Sequence, residues 1–274
     1  MPLIKYLFQP DNKKNIRYLQ DFFSVTVTLT NWWIYYLDFF YYLKKNPIIF
    51  NLRNGIKLLG IPRHWDGLVI NEVWGLRNDY VQKPISLSQN SIVVDIGAHK
   101  GYFTVFASVK APKGKVFAFE PFPRNYQMMK KNLEINNCKN VTVYKMGVAG
   151  IKGKKTLYLG TDDTKSGYSI LKNEFNNYGA CTAVDISTIR LQDIFTVSHI
   201  QHIDFLKLDC EGAEYEIFLH TPKNVFKKIK QISMEYHCIN NLNEKLLKDI
   251  FKKNGFNVII SPMRKEFGML YAYK

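Results

Sequence analysis

Four short apolar runs each end in a side chain able to bind or move a proton. "IVVDIG" reaches Asp95, "KVFAFE" ends on Glu120, "IDFLKLD" on Asp209, and "QISMEYH" carries both Glu235 and His237. In an open α/β sheet, ligands bind in the crevice beyond the carboxyl ends of the strands. If these runs are neighbouring strands, carboxylates and an imidazole converge on one cleft, with Glu211 two residues after Asp209. Such a set suits deprotonation of a hydroxyl held within hydrogen-bond reach. Asp209, Glu235 and His237 also have the ligand types of a Mg or Mn site. No third carboxylate stands at a fixed spacing, so no metal is assigned.

The turn after the first run, "DIGAHKGYF", indicates what else the cleft holds. Gly97 lets the backbone turn tightly against a ligand, and Gly101 opens a helix at Tyr102 and Phe103 whose first amides face that ligand. On its own the turn fits a dinucleotide nearly as well. Glu120 is the discriminator, because it stands at the end of the next strand with the spacing of a carboxylate gripping two ribose hydroxyls. A dinucleotide site shares that acid but adds the fuller G-x-G-x-x-G turn. Here Ala98, His99 and Lys100 fill the interval between the glycines. Asp95 suits a cationic, amino-acid-like ligand better than a pyrophosphate, since like charges repel. S-adenosylmethionine meets these demands.

With "VVDIGAHKGYFT", "FAFEPFPRNYQMMKKNLEINN", "STIRLQDIF", "IDFLKLDCEGAEYEIF" and "ISMEYH" in this order, the chain resembles the FkbM-type S-adenosylmethionine-dependent methyltransferases. The resemblance implies a class I methyltransferase fold: an α/β, doubly wound, mostly parallel seven-stranded, Rossmann-like sheet. It implies methyl transfer to a hydroxyl of a sugar, glycan or glycosylated metabolite. It places Asp95, Gly97, Ala98 and Gly101 along the methionine and ribose, Glu120 on the ribose diol, and Pro121 and Phe122 beside the adenine. Gly147 and Val148 would close the adenine pocket through their backbone, and His99 would neighbour the cofactor. Two departures stand out: His99 occupies a place where a small residue or Asn is common, and Gln192 one where an acid is frequent.

Methyl transfer is an in-line displacement, so the acceptor oxygen must be held about 3 to 3.5 Å from the methyl and lose its proton as the bond forms. Asp209 is the first candidate for that proton, His237 the second, with Glu211 and Glu235 crowding the same site. Glu214, at the start of the following helix, either caps it or orients a neighbour. RNA methylation is a competing reading permitted by the basic charge. Against it, no strand end carries the Asn-Pro-Pro or Asp-Pro-Pro turn of many amino-group methylases, nor a Pro-Cys pair. A non-catalytic cofactor-binding scaffold is a third reading.

The elements that must position these residues alternate. Strand-like runs are separated by helical stretches such as "PRNYQMMKKNLEINN" and "NLNEKLLKDIFKKNG", with Gly255 as a stop signal. The last two strands, "FNVII" and "GMLYAY", have no helix between them and should form an antiparallel edge hairpin. "KKTLYLG" and "TAVDIS" predict a small added ribbon, joined by the long polar loop "TDDTKSGYSILKNEFNNYG". Residues 1–90 read as an N-terminal extension and 91–274 as the cofactor-binding catalytic domain. In the extension, Asn31 is expected to cap a helix running to about Leu43, with Trp32, Tyr35, Tyr36, Phe39 and Leu43 on one face. "PIIFNLRNGIKLLGI" predicts a hairpin turning at Arg53-Asn54-Gly55. "HWDGLVINEVWGLRNDY" then carries Asp66 and Glu72 into the main domain.

Of the 274 residues, 46% are apolar and 22% charged, which is ordinary globular composition and excludes a disordered chain. The run from Phe22 to Lys45 is interrupted by Ser24, Asn31 and Asp38, which argues against a membrane span. The net charge of +15 favours anionic neighbours, and aromatics trailing into Lys44 and Lys45 suit peripheral contact with a membrane's inner face. The sugar or glycan acceptor that the resemblance implies is accordingly expected to be of anionic or lipid-linked kind. Nucleic acid is disfavoured, and a homo-oligomer remains open. Cys138, Cys181, Cys210 and Cys238 form neither a CxxC pair nor a zinc spacing. Together with the lack of a signal-like N-terminus, they predict a reduced, cytoplasmic protein.

Overall fold

A computed structural model describes residues 12–159, 168–169, 182–210, 212–239, 242–264 and 267–274. Most of the polar loop between the ribbon strands, together with Cys181 and Glu211, lies outside the described residues. The chain divides into two compact units, one through Asn78 and one from Asp79 onward.

The first unit holds α1 (Asn12–Thr28), α2 (Trp33–Phe39), the strands β1 (Ile48–Asn51) and β2 (Lys57–Gly60), and α3 (Asp66–Trp74). β1 and β2 form the expected antiparallel hairpin, with Asn54 accepting from the Ile56 amide and Gly55 at a φ of +87° in the turn. The helix expected from Asn31 to Leu43 is shorter and is not capped by Asn31. The Asn31 side chain instead braces the hairpin, donating to Ile49 O at 2.8 Å and accepting from the Asn51 amide at 2.8 Å. Tyr41, at a φ of +65°, turns the chain away after Phe40 and ends the helical path. Asp66 stays in this unit, where it is buried and accepts from the Ile61 amide at 2.7 Å. Among the described residues, no helix is long and apolar enough to cross a membrane.

The second unit is built on the seven-stranded, mostly parallel sheet. Its strands are β3 (Ile92–Ile96), β4 (Lys115–Phe119), β5 (Val141–Tyr144), β10 (Ile203–Leu208), β11 (Ile229–His237), β12 (Asn257–Pro262) and β13 (Phe267–Tyr273). They lie in the order β12-β13-β11-β10-β3-β4-β5. β12 and β13 form the expected edge hairpin, in which β13 runs antiparallel to β11. The helices of this unit are α4 (Tyr102–Lys110), α5 (Pro123–Ile135), α6 (Leu191–Val197), α7 (Glu214–Leu219), α8 (Lys223–Phe226) and α9 (Glu244–Lys253). The added ribbon is a separate sheet of β6 (Gly147–Val148), β7 (Gly153–Leu159), β8 (Tyr168–Ser169) and β9 (Thr182–Ile189), in the order β6-β9-β7-β8.

Successive residues of a strand point to opposite faces. Val94, Ile96, Leu206, Leu208, Ile232 and Met234 therefore share one face, where they join Tyr215, Phe218, Phe226, Leu247 and Phe251 from α7, α8 and α9 in the main core. The other face receives Asp95, Phe205, Lys207 and Glu235. α4 covers part of it, with the Phe103 ring stacked 6.0 Å from Phe205. Burial on both faces gives β3 and β4 their nearly continuous apolar sequence, and the few polar residues among them stand out for that reason.

Candidate active site

Asp95 and Lys207 stand opposite one another in the parallel register of β3 and β10, which places a carboxylate and an ammonium side by side inside the sheet. The Lys207 side chain is only 4% exposed. Its Nζ lies 3.2 Å from Asp95 Oδ1, donates to Gly97 O at 2.8 Å and sits 3.9 Å from Asp209 Oδ2. Burial pulls the Lys207 pKa down, but the charges of Asp95 and Asp209 outweigh it and the net direction is up. A buried cation thus links the glycine turn to the end of β10. Lys207 was missed in the sequence, although a lysine inside "DFLKLD" is the sort of misfit in an apolar strand that could have revealed it.

Asp95 was expected to line the methionine side of the ligand. Its carboxylate is wholly buried, with Oδ2 accepting from Thr104 Oγ1 at 2.6 Å and Oδ1 facing Lys207. It braces the turn from beneath. The turn itself is tied to β4: the Gly97 and Ala98 amides both donate to Phe119 O, at 3.1 and 3.0 Å. Gly97 has a φ of +71°, and a Cβ there would lie 1.8 Å from Asp209 O, so only glycine lets β10 close on the turn. His99 is also left-handed, at a φ of +55°. Its ring meets Tyr102 edge-on at 6.3 Å, and Tyr102 and Phe103 open α4 as buried side chains.

Glu120 is 2% exposed, and both of its oxygens accept backbone amides, one from the turn and one from its own strand end. Oε2 accepts from the His99 amide at 2.7 Å and Oε1 from the Phe122 amide at 2.9 Å. Burial raises its pKa to about 8, against the lowering effect of those two amides and of Lys207. A carboxylate has about four acceptor positions, so each oxygen keeps one for a further donor. Such an acid fits a vicinal diol, whose two hydroxyls would favour the ionised form. Pro121 and Phe122 follow at half-buried positions. Gly147 and Val148 are strand residues of the ribbon, paired with Thr188 and Ile189, and a Cβ on Gly147 would lie 3.7 Å from that of Pro121. A carboxylate, an aromatic residue and close backbone thus share one neighbourhood, the set an adenosyl group would need.

The side chains expected to face the acceptor lie at the ends of β10 and β11. Asp209 Oδ2 accepts from the Tyr80 hydroxyl at 2.8 Å. On β11, His237 Nδ1 lies 3.3 Å from Glu214 Oε1, and Nε2 lies 3.6 Å from Glu235 Oε1. Glu214 is fully buried at the start of α7. Its Oε1 also accepts from the Cys210 and Gly212 amides at 3.3 and 3.2 Å, so one side chain both closes the turn after β10 and holds the histidine. Of the two roles expected for Glu214, it orients a neighbour, His237, and does not cap its own helix, whose first turn has no side-chain cap. Glu235 and His237 thus lie side by side on β11, Asp209 stands at the end of the neighbouring β10, where its contacts are Tyr80 and Lys207, and among the described residues no cluster of three His, Cys, Asp or Glu side chains is arranged to hold a metal.

Comparison with known proteins decides the family. A model described as the methyltransferase FkbM domain matches residues 95–258. The chain belongs to the FkbM methyltransferase family. It is 27% identical over 184 residues to Methyltransferase sdnD of Sordaria araneosa, covering 57% of this chain and 70% of that one. It is 24% identical over 204 residues to the 31-O-demethyl-FK506 methyltransferase FkbM of Streptomyces tacrolimicus, covering 66% of this chain and 78% of that one. A crystal structure of methyltransferase FkbM from Methylobacillus flagellatus KT aligns with a TM-score of 0.50 at 13% identity, over 98% of this chain and 62% of that one. That likeness shares the fold. The protein is thus a methyltransferase, and S-adenosylmethionine, the donor read from the strand ends, is the one that goes with this family and fold.

Proposed function

We propose that this FkbM methyltransferase methylates a hydroxyl of a sugar, glycan or glycosylated metabolite, with Asp209 taking the hydroxyl proton. The observation that carries the reading is the Asp209 carboxylate at the end of β10, held on one oxygen by Tyr80 and flanked by Lys207. S-adenosylmethionine supplies, when bound, an electrophilic methyl that needs no activation, so the chain's own work is to orient the acceptor and remove its proton. Glu120 would hold the ribose diol and the Gly97–Gly101 turn would set the depth of the donor. Asp95 and Lys207 would keep that turn in register with Asp209, and His237, steadied by Glu214, with Glu235 would grip further hydroxyls of a polyol. The 31-O-demethyl acceptor named for the Streptomyces relative supports oxygen as the atom methylated.

A lipid-linked acceptor is supported by the first unit, which exposes Trp32, Trp33, Phe40, Tyr41 and Tyr42 beside exposed Lys44 and Lys45. Aromatic rings and basic side chains together suit a lipid headgroup layer. The test of function is transfer of labelled methyl from S-adenosylmethionine to glycans released from cells, with total RNA as the competing substrate. Label in RNA alone would overturn the sugar reading. For the lipid reading, co-sedimentation with vesicles containing anionic lipid should be lost in Trp33→Ser with Lys44→Glu.

A further inference from the structure

We propose that Tyr80, which lies before the matched family domain, is a positioning residue for the methyl transfer: its hydroxyl fixes the Asp209 carboxylate so that one oxygen is left to receive the acceptor's proton. The inference rests on the reading of Asp209 as the proton acceptor.

The segment that carries Tyr80 is pinned to the sheet on both sides of it. Just before it, Asp79 O accepts from the Tyr271 hydroxyl of β13 at 2.6 Å. Further on, Ser86 exchanges two hydrogen bonds with the Gln231 side chain of β11: its amide donates to Oε1 at 2.8 Å and its carbonyl accepts from Nε2 at 3.1 Å. Between these anchors Tyr80 is 4% exposed. Its ring lies 5.6 Å from that of Phe103 at the start of α4, and the Lys207 ammonium sits 5.2 Å from the ring centroid. The ring is therefore fixed by packing, and its hydroxyl has a set direction. That direction is Asp209 Oδ2, at 2.8 Å.

Lys207 approaches the same oxygen, at 3.9 Å. Both supports thus fall on Oδ2, and Oδ1 has no hydrogen-bond partner among the described residues. The Asp209 side chain keeps 25% of its surface exposed, whereas that of Asp95 keeps none. A carboxylate with one oxygen tied and the other open presents a single acceptor in a defined orientation, which a freely rotating side chain cannot do. The acceptor hydroxyl would give its proton to Oδ1 as its oxygen forms the new bond to the methyl; the methyl's bond to the donor sulfur would break with its electron pair left on sulfur as the neutral thioether, and Tyr80 would keep its own proton throughout.

Tyr80→Phe removes one oxygen and leaves the ring contacts in place, so the fold and donor binding should persist in thermal melting and in calorimetry with S-adenosylmethionine. In isotope-edited infrared spectra of protein labelled at Asp carboxyl carbons, the Asp209 band is the one missing from Asp209→Asn. That band should shift in Tyr80→Phe. With glycans released from cells as acceptor, kcat should fall about 10- to 100-fold, as for loss of a hydrogen bond to a charged group, with the KM for the donor unchanged. An unmoved Asp209 band, or wild-type kcat, in Tyr80→Phe overturns the role of Tyr80. Wild-type turnover in Asp209→Asn instead removes Asp209 from the chemistry, and the positioning role of Tyr80 with it, while the band shift separately reports whether the contact exists.

Discussion

The donor and acceptor sides of the proposed site are built from different materials. On the donor side, the chain holds its turn with backbone amides and fully buried acids: Asp95 beneath Thr104 and Lys207, and Glu120 on the amides of His99 and Phe122. On the acceptor side, Asp209, Glu235 and His237 keep 25%, 22% and 17% of their side-chain surfaces exposed and are held by other side chains. A rigid side built on main chain suits a ligand that never varies, and a side made of side chains can be altered to suit different acceptors without disturbing the sheet. The difference teaches that donor-side changes should damage fold and binding together, whereas acceptor-side changes should damage turnover alone.

The strongest way to break that contrast is Gly97→Ala. The added Cβ meets Asp209 O at 1.8 Å from a φ of +71°, so we expect destabilisation of about 4 kcal/mol or more and loss of donor binding, read by melting and calorimetry. A stable variant with normal donor affinity would show that the turn and β10 are not locked together.

Lys207→Met comes next. It strands Asp95 as a buried charge and should cost about 3–5 kcal/mol in denaturant unfolding, most of it recovered when Asp95→Asn is added, since removing both partners leaves no uncompensated charge. Equal instability of the single and double variants would point to packing instead.

Asp209→Asn sharpens the other half of the contrast. It should leave donor affinity and melting near wild type while turnover falls about 10²- to 10⁴-fold, the range for loss of a general base. Weakened donor binding would assign Asp209 to the donor side.

The smallest expected effect is a pH dependence at Glu120. Its pKa rises from 4.5 to about 8 in the folded protein, so the neutral acid is favoured there. The stability it contributes is full below about 4.5 and is lost as pH rises through about 8. Ribose hydroxyls favour the ionised form. Donor binding should therefore release a proton below about pH 8, tightening as pH rises and then levelling, and Glu120→Gln should flatten the profile. Calorimetry in buffers of different ionisation enthalpy measures the proton directly.

Much of this was open to reading in the sequence because it depends on local order. Short apolar runs between helical stretches marked the strands that carry the candidate acids and the edge hairpin of the main sheet, and Gly255, at a φ of +84°, followed α9 as a stop. Strand ends carry the ligand side of such a sheet by topology alone, so Asp95, Glu120, Asp209, Glu235 and His237 could be grouped without coordinates. Asn31 shows where local reading failed. A residue well suited to capping the next helix found a better partner in a strand seventeen or more positions away, since a buried amide is satisfied by whatever main chain packs against it.

What the sequence determined by itself was therefore the sheet, the donor and the identity of the acids, because periodicity and glycine turns act over a few residues. Which acid is buried in an ion pair and which keeps an exposed oxygen was decided only by the tertiary structure. Asp95 and Asp209 look alike at two strand ends, yet the register of β3 with β10 buries the first against Lys207. Tyr80, 129 positions from Asp209 in the chain, ties one oxygen of the second and leaves the other open. Charge and hydrogen bonding act through space, so the roles of identical side chains follow from which neighbours the fold delivers to them.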